Sequence, residues 1–269
     1  MNRIGIIGAG NMGSALIRGL VRSKKTAADM ISVFDVDSAK SRSLEKELGI
    51  RSVAALEETL APDTSILVLA VKPQIIGQVL DALSDKIHEN LVIVSIAAGI
   101  PTSFILSCLN KPARVIRAMP NAAAMAGRSA TALCKAGIAD DADLEAALDL
   151  FRAVGAAVAL EEKMMNVVTA LSSSGLAYLF IIMEALTDAA VRMGMDRPTA
   201  RELTVQTVVG ASTMAMDNTP FSELKDRITS PGGTTMAALH VLERGGLRGI
   251  LMDAIEAATR RGEELARQK

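Results

Sequence analysis

The six residues Gly8-Ala9-Gly10-Asn11-Met12-Gly13 constrain this chain more than any other stretch, because of what flanks them. Residues 4–7 ahead of them are a short apolar run, and residues 13–23 behind them read as a helix. A glycine-rich turn between a strand and a helix offers an anion free backbone N–H groups and the positive end of the helix dipole. In that setting Gly8 permits the tight turn, Gly10 lets the backbone approach a pyrophosphate, and Gly13 lets the helix pack on the strand, with Asn11 and Met12 between them. Asp35 closes a second short strand at residues 31–34, a little over twenty residues after Gly13. That is the interval at which a carboxylate accepts the hydroxyls of an adenosine ribose. The predicted cofactor is therefore NADH or NADPH. A carboxylate repels a 2′-phosphate, so Asp35 suggests NADH, while nearby Arg42 keeps NADPH open. Asp35 and Asp37 have a second reading, as caps of the helix at 38–48.

Strand and helix patterns go on alternating after this turn. Residues 66–70 and 91–96 are continuous apolar runs, as strands buried on both faces are, and 113–117 and 130–134 resemble them. Such alternation predicts a parallel, doubly wound sheet of the Rossmann type over residues 1–160. From 161 to 269 the pattern is helical, with long apolar stretches at 167–193 and 199–216 and breaks at Gly194 and Gly245-Gly246. Helices apolar on most faces need cover from more than one side, which a segment this short does not supply by itself. The fold class is thus α/β, a Rossmann-type domain followed by an all-helical dimerisation domain, and the expected partner is a second copy, with higher assembly open.

Three further elements stand at the ends of predicted strands: Ala70-Val71-Lys72-Pro73, Ala97-Ala98-Gly99 and Met119-Pro120-Asn121. Ligands of open α/β sheets bind beyond the carboxyl ends of the strands, so all three are predicted to line the cofactor cleft. Lys72 suits a phosphate or ribose, the small side chains at 97–99 admit a flat ring, and Asn121 suits the nicotinamide. The charge balance excludes little but leans one way: a net charge of -1 with mixed signs shows no basic stripe for nucleic acid. Cys108 and Cys134, with His88 and His240, are too few and scattered for a metal site or a disulfide framework. No uninterrupted apolar run reaches the roughly 18 residues of a membrane span, and no cleavage site follows the apolar start. We therefore expect a cytoplasmic protein with no membrane partner.

The helical half carries a resemblance. Ser230-Pro231-Gly232-Gly233-Thr234-Thr235, with Ala238-Leu239 and Leu242-Glu243 after it, resembles the signature of pyrroline-5-carboxylate reductases. So does Leu171-Ser172-Ser173-Ser174-Gly175-Leu176-Ala177-Tyr178, and the strand-end elements fall in that family's order. The resemblance implies reduction of L-1-pyrroline-5-carboxylate to L-proline by hydride transfer from NAD(P)H. It implies that backbone N–H groups around Ser230, Gly232, Gly233 and Thr234 hold the substrate carboxylate. Thr235 would orient the imine nitrogen as the catalytic residue, and Glu162 would border the pocket. A Pro-Gly-Gly turn suits this task, since consecutive backbone donors form an anion nest without a cation. Ser230 and Thr235 also suit plain capping of a helix that starts near Thr234.

This sequence departs from the family pattern at Ser173, Leu176, Ala122, Ala123, Ser129 and Asn166, which leaves a related cyclic imino acid as an alternative substrate. A β-hydroxyacid dehydrogenase needs a catalytic lysine that residues 172–183 lack. An NADH-sensing regulator needs a second interaction element, for which the chain has no spare segment.

Overall fold

The computed structural model describes residues 3–267 and divides into two compact units. One runs to Ser173 and takes in the chain again from Ala258; the other is Ser174–Ala257.

The first unit is built on β1 (Arg3–Ile7), β2 (Ile31–Phe34), β3 (Arg51–Ser52), β4 (Thr64–Leu69), β5 (Val92–Ser95), β6 (Arg114–Met119), β7 (Ser129–Gly137) and β8 (Gly155–Ala159). They form one sheet in the order β3-β2-β1-β4-β5-β6-β7-β8. Alternate residues of a strand face opposite sides, and both sides are covered. Ile6 and Val68 join a core with Leu16, Ile17 and Leu20 of α1 (Asn11–Arg22) and Phe151 of α5 (Asp141–Phe151). Ile7, Leu67 and Leu69 join the opposite core with Leu80 of α3 (Ile76–Leu83) and Ile105 of α4 (Thr102–Leu109). Two-sided burial is why these strands read as unbroken apolar runs. α2 (Ser38–Leu48) starts at an Asp37 cap and stops at Gly49 in a left-handed conformation.

The sheet corrects the expectation that all strands are parallel. β6 and β7 pair antiparallel, with Arg117 opposite Cys134, while every other neighbouring pair is parallel. The link from Met119 to Ser129 is shorter than the crossover of about a dozen residues that a parallel pair requires.

After β8 the chain forms a short helical segment: a 3-10 turn at Glu162–Met164, α6 (Met165–Val168) and a π-helical turn at Thr169–Ser173. The second unit follows with α7 (Gly175–Arg192), α8 (Arg197–Met214), α9 (Phe221–Arg227), α10 (Thr234–Arg244) and α11 (Leu247–Arg267), whose last turns belong to the first unit. α7 packs on α8, where the Thr187 hydroxyl donates to that of Thr204 at 3.2 Å. Yet α7 buries only Gly175 and Thr187, and Phe180 and Ile181 are 64% and 66% exposed. The helical run Glu162–Arg192 has 31 residues, and its most apolar window has a mean hydropathy of 1.6, enough by length and composition to cross a membrane. Counting unbroken apolar residues overlooked this run because Glu184 and Asp188 interrupt it.

Candidate functional site

The strand order reverses between β1 and β4, and the two chains leaving that point are locked together. The Gly8 N–H donates to the Phe34 carbonyl at 2.8 Å, and the Ala70 N–H donates to the Ile7 carbonyl at 2.8 Å. Gly8 has φ +106°, and a Cβ there would stand 2.4 Å from the Ala70 carbonyl oxygen. A Cβ on Gly13 would stand 2.0 Å from the Gly8 carbonyl oxygen, so the turn closes tightly on the start of α1. Gly10 is the opposite case: nothing lies within 4 Å of where its Cβ would be, and α1 has no side-chain cap. Bare backbone, open space and uncapped amides of Asn11, Met12 and Gly13 at a helix N-terminus fit a pyrophosphate. This is the reversal point at which open α/β sheets take their ligands.

Of Asp35 and Asp37, the structure gives the cap of α2 to Asp37. Asp37 caps α2 by accepting from the Ala39 N–H at 3.2 Å. Asp35 instead turns back to the glycine loop, accepting from the Ala9 N–H at 2.6 Å with one oxygen and from the Asp37 N–H at 2.9 Å with the other. A carboxylate has about four acceptor sites, so capacity for ribose hydroxyls remains. The Arg42 guanidinium donates to the Ser38 hydroxyl at 2.8 Å.

The other strand ends stand along the same carboxyl edge. After β4, Val71 and Lys72 lead to Pro73 at the start of a 3-10 turn, with Lys72 exposed and in no ion pair among the described residues. After β5, the Ala97 N–H donates to the Ser95 hydroxyl at 3.3 Å, Ala98 is exposed, and Gly99 takes φ +68° to turn the chain into α4. Asn121, after β6, behaves differently from its neighbours. It is 6% exposed, and its amide is taken up inside the protein. Its Oδ1 accepts from the Ala123 N–H at 3.2 Å, and its Nδ2 donates to the Ser172 carbonyl at 3.0 Å.

Glu162 lies in the first unit with both carboxylate oxygens engaged. Oε1 accepts from the Thr102 N–H at 2.8 Å and from Arg117 at 3.0 Å, and Oε2 accepts from the Thr102 hydroxyl at 2.5 Å. Burial pushes this carboxyl up, but the two Thr102 hydrogen bonds and the Arg117 charge outweigh it and hold the carboxyl below the ordinary range. Burial, with Glu162 second, pushes the neighbouring Cys134 thiol up to about 11.

In the second unit, Ser230-Pro231-Gly232-Gly233 is a tight turn closed by the Gly233 N–H on the Ser230 carbonyl at 3.1 Å. Gly232 sits at φ +68°, as the third position of a Pro-Gly turn requires. A Cβ on Gly233 would stand 2.4 Å from the Ser230 hydroxyl, so a larger residue there would displace that side chain. α10 starts directly after it with no side-chain cap. The capping role considered for Ser230 and Thr235 is therefore absent, and the Thr234 and Thr235 amides stand at an uncapped helix N-terminus.

The family model for pyrroline-5-carboxylate reductase dimerisation matches residues 162–265. A pyrroline-5-carboxylate reductase of Methanosarcina acetivorans is 42% identical over 99% of this chain and 98% of its own length. The chain belongs to the pyrroline-5-carboxylate reductase family. A relative of the same name from Pseudomonas aeruginosa is 40% identical over 99% of this chain and 97% of its own. The solved pyrroline-5-carboxylate reductase of Coxiella burnetii superposes with a TM-score of 0.95, at 36% identity and 98% coverage of both chains. The Plasmodium falciparum enzyme, solved with NADP bound, gives 0.84 at 27% identity and 98% coverage of both. Residues 3–99 also match the model described as NADP oxidoreductase, coenzyme F420-dependent.

Within this member of the reductase family, sequence reading missed Thr102 and Arg117, which hold Glu162, and Ser172, which holds Asn121. Arg117 left a usable signal: a guanidinium inside an otherwise apolar strand demands a buried carboxylate partner. Ser172 left none, because its role belongs to its backbone carbonyl within a π-helical turn.

Proposed function

We propose that this chain reduces L-1-pyrroline-5-carboxylate to L-proline with NADH or NADPH, the last step of proline biosynthesis. The observation that carries the reading is the end-to-end likeness to reductases of that name, together with a substrate loop whose turn leaves helix amides uncapped.

In this reading Gly8, Gly10, Asn11, Met12 and Gly13 receive the pyrophosphate, and Asp35 accepts the adenosine ribose hydroxyls. Ala70, Val71, Lys72 and Pro73 line the next edge, and Ala97, Ala98 and Gly99 leave room for the nicotinamide. Asn121 serves by shaping the loop it holds. When bound, the reduced nicotinamide supplies the hydride. In the helical unit, the Gly233 amide closes the turn on Ser230. That leaves the Thr234 and Thr235 amides, with the Ser230 hydroxyl, to bind the substrate carboxylate at the positive end of α10. Gly232 and Gly233 keep that backbone bare. The Thr235 hydroxyl orients the imine nitrogen, which arrives protonated, so no lysine or histidine acid is needed. NADH is the preferred cofactor, because the Asp35 carboxylate repels a 2′-phosphate.

The helical domain from 161 to 269 forms a homodimer through the apolar faces of α7 and α8. The thiols of Cys108 and Cys134 are both free, which suits the reducing cytoplasm. The test is oxidation of NADH and NADPH by purified protein with pyrroline-5-carboxylate, with proline identified as product. Thr235→Ala lowers kcat/KM for the imine and leaves dinucleotide affinity intact. Tight dinucleotide binding without proline formation would reject this substrate in favour of another cyclic imine.

A further inference from the structure

Arg117 is 6% exposed in the middle of the sheet, and a guanidinium buried there needs a partner for its donors. Its counter-charge comes from Glu162, 45 residues on. The same carboxylate accepts both the N–H and the hydroxyl of Thr102, the first residue of α4. α4 has no cap of its own, since Pro101 stands at its N-cap position with no side-chain hydrogen bond. Glu162 thus does for α4 what a capping side chain does locally, and it does so while anchored on a buried cation. Thr102 follows Gly99 by three residues, so the loop Ala97-Ala98-Gly99 is suspended between β5 and this anchored helix start.

The far end of the same segment is pinned as well. Asn121 donates to the Ser172 carbonyl at 3.0 Å, and the Ser173 hydroxyl donates to the Pro120 carbonyl at 3.3 Å. Residues 162–173 therefore brace the loops that follow β5 and β6 at two points within the first unit. Ser173, one of the departures from the family pattern, is part of that brace.

We propose that Glu162 is a positioning residue for the dinucleotide: by joining Thr102 to Arg117 it fixes the loop Ala97-Ala98-Gly99 in the shape that receives the nicotinamide. The inference rests on the reading of that loop as part of the cofactor site. It assigns Glu162 to the cofactor side and not to direct contact with the imino acid.

Binding of NADH and NADPH to the full chain, followed by nicotinamide fluorescence without substrate, tests this separately from turnover. Glu162→Ala is expected to weaken dinucleotide binding by about tenfold, as displacement of a positioned group does. Thr102→Val should weaken it in the same direction. Glu162→Gln should recover most of the affinity, because its amide oxygen still accepts from the Thr102 N–H and its amide nitrogen reaches the Thr102 hydroxyl. In steady state, Glu162→Ala should raise KM for the dinucleotide and leave KM for the imino acid unchanged. A rise in imino-acid KM alone, with normal dinucleotide affinity, would make Glu162 a substrate contact and overturn the proposal. If Glu162→Ala does not fold, normal binding by Thr102→Val overturns it equally. Ala98→Leu fills the loop without touching Glu162. Normal binding by that variant would reject the loop as a cofactor element, and the positioning role with it, while leaving the reductase reading standing.

Discussion

In the first unit both faces of the sheet are covered, and the central strands β4, β5 and β6 are buried almost throughout. In the helical unit α9 and α10 bury no residue at all, and α8 buries only Ala200 and Thr204. Both carry many apolar side chains, so the contrast lies in where the cover comes from. The sheet is covered by its own crossover helices, each connection bringing one apolar face back onto the strands. The helices α7 and α8 pack mainly on each other, and that pairing leaves outward stripes such as Phe180, Ile181, Leu203 and Val209 in the open. A large exposed apolar face marks an interaction surface, and these residues lie within the match to the family model for pyrroline-5-carboxylate reductase dimerisation. The first unit buries its apolar strands against its own helices, whereas the second leaves much of its apolar surface exposed.

The sharpest way to break this contrast is Phe180→Asp on α7. Losing an aromatic side chain from each half of an interface costs about 1.5–3 kcal/mol per copy before the added charge is counted. Sedimentation should show the dimer shifting to monomer at micromolar concentration, with the sheet unit still folded. A stable Phe180→Asp dimer would place the interface elsewhere. Next comes Gly13→Ala in the self-sufficient unit. The added methyl meets the Gly8 carbonyl oxygen at 2.0 Å, an overpacking cost of about 1–3 kcal/mol. A lower melting temperature and lost dinucleotide binding, with the dimer intact, are expected.

Asp35→Ser should act more narrowly. The NADPH-to-NADH ratio of kcat/KM should rise by about tenfold, equivalent to roughly 1.4 kcal/mol of removed repulsion. Because Asp35 also holds the Ala9 N–H, both cofactors should bind somewhat more weakly than in the wild type. An unchanged ratio would leave Asp35 with the loop-holding role alone. The smallest effect is on acid stability. The Glu162 carboxyl is held below its unfolded value, so its contribution is complete above the unfolded pKa. It is lost as pH falls through the lower folded value. Denaturant midpoints taken from pH 6 downward should fall less steeply for Glu162→Gln than for the wild type, and parallel slopes would contradict this.

The same contrast explains what was legible from the chain. The turn Gly8–Gly13 was readable because its glycine spacing sits between a strand and a helix, and Gly8 and Gly13 answer separate steric demands. The central strands, β4 most plainly, were readable because two-sided burial writes itself as apolar runs. β3 is only Arg51–Ser52, and β8 is Gly-Ala-Ala-Val-Ala, small residues with weak strand preference, so neither left a pattern. The reversed direction of β7 is invisible to burial, which is the same for parallel and antiparallel neighbours; only the short link from Met119 hinted at it. Of the candidate site residues, the Gly8–Gly13 turn was identifiable from glycine spacing, and the Ser230–Thr235 turn from the family resemblance. Asn121 was found as a polar residue at a strand end and Glu162 only through the family resemblance; their partners lie 51 and 60 residues away, and no local pattern reports such a bond.

The central claim is hydride delivery to the C=N carbon of a pyrroline carboxylate. It is tested most directly by turnover with dinucleotide deuterated at the transferring C4 position, the product being read by mass spectrometry and NMR. The account predicts proline carrying one deuterium at C5. Proline without deuterium, or deuterium transferred only to a different imine or carbonyl substrate, would contradict it.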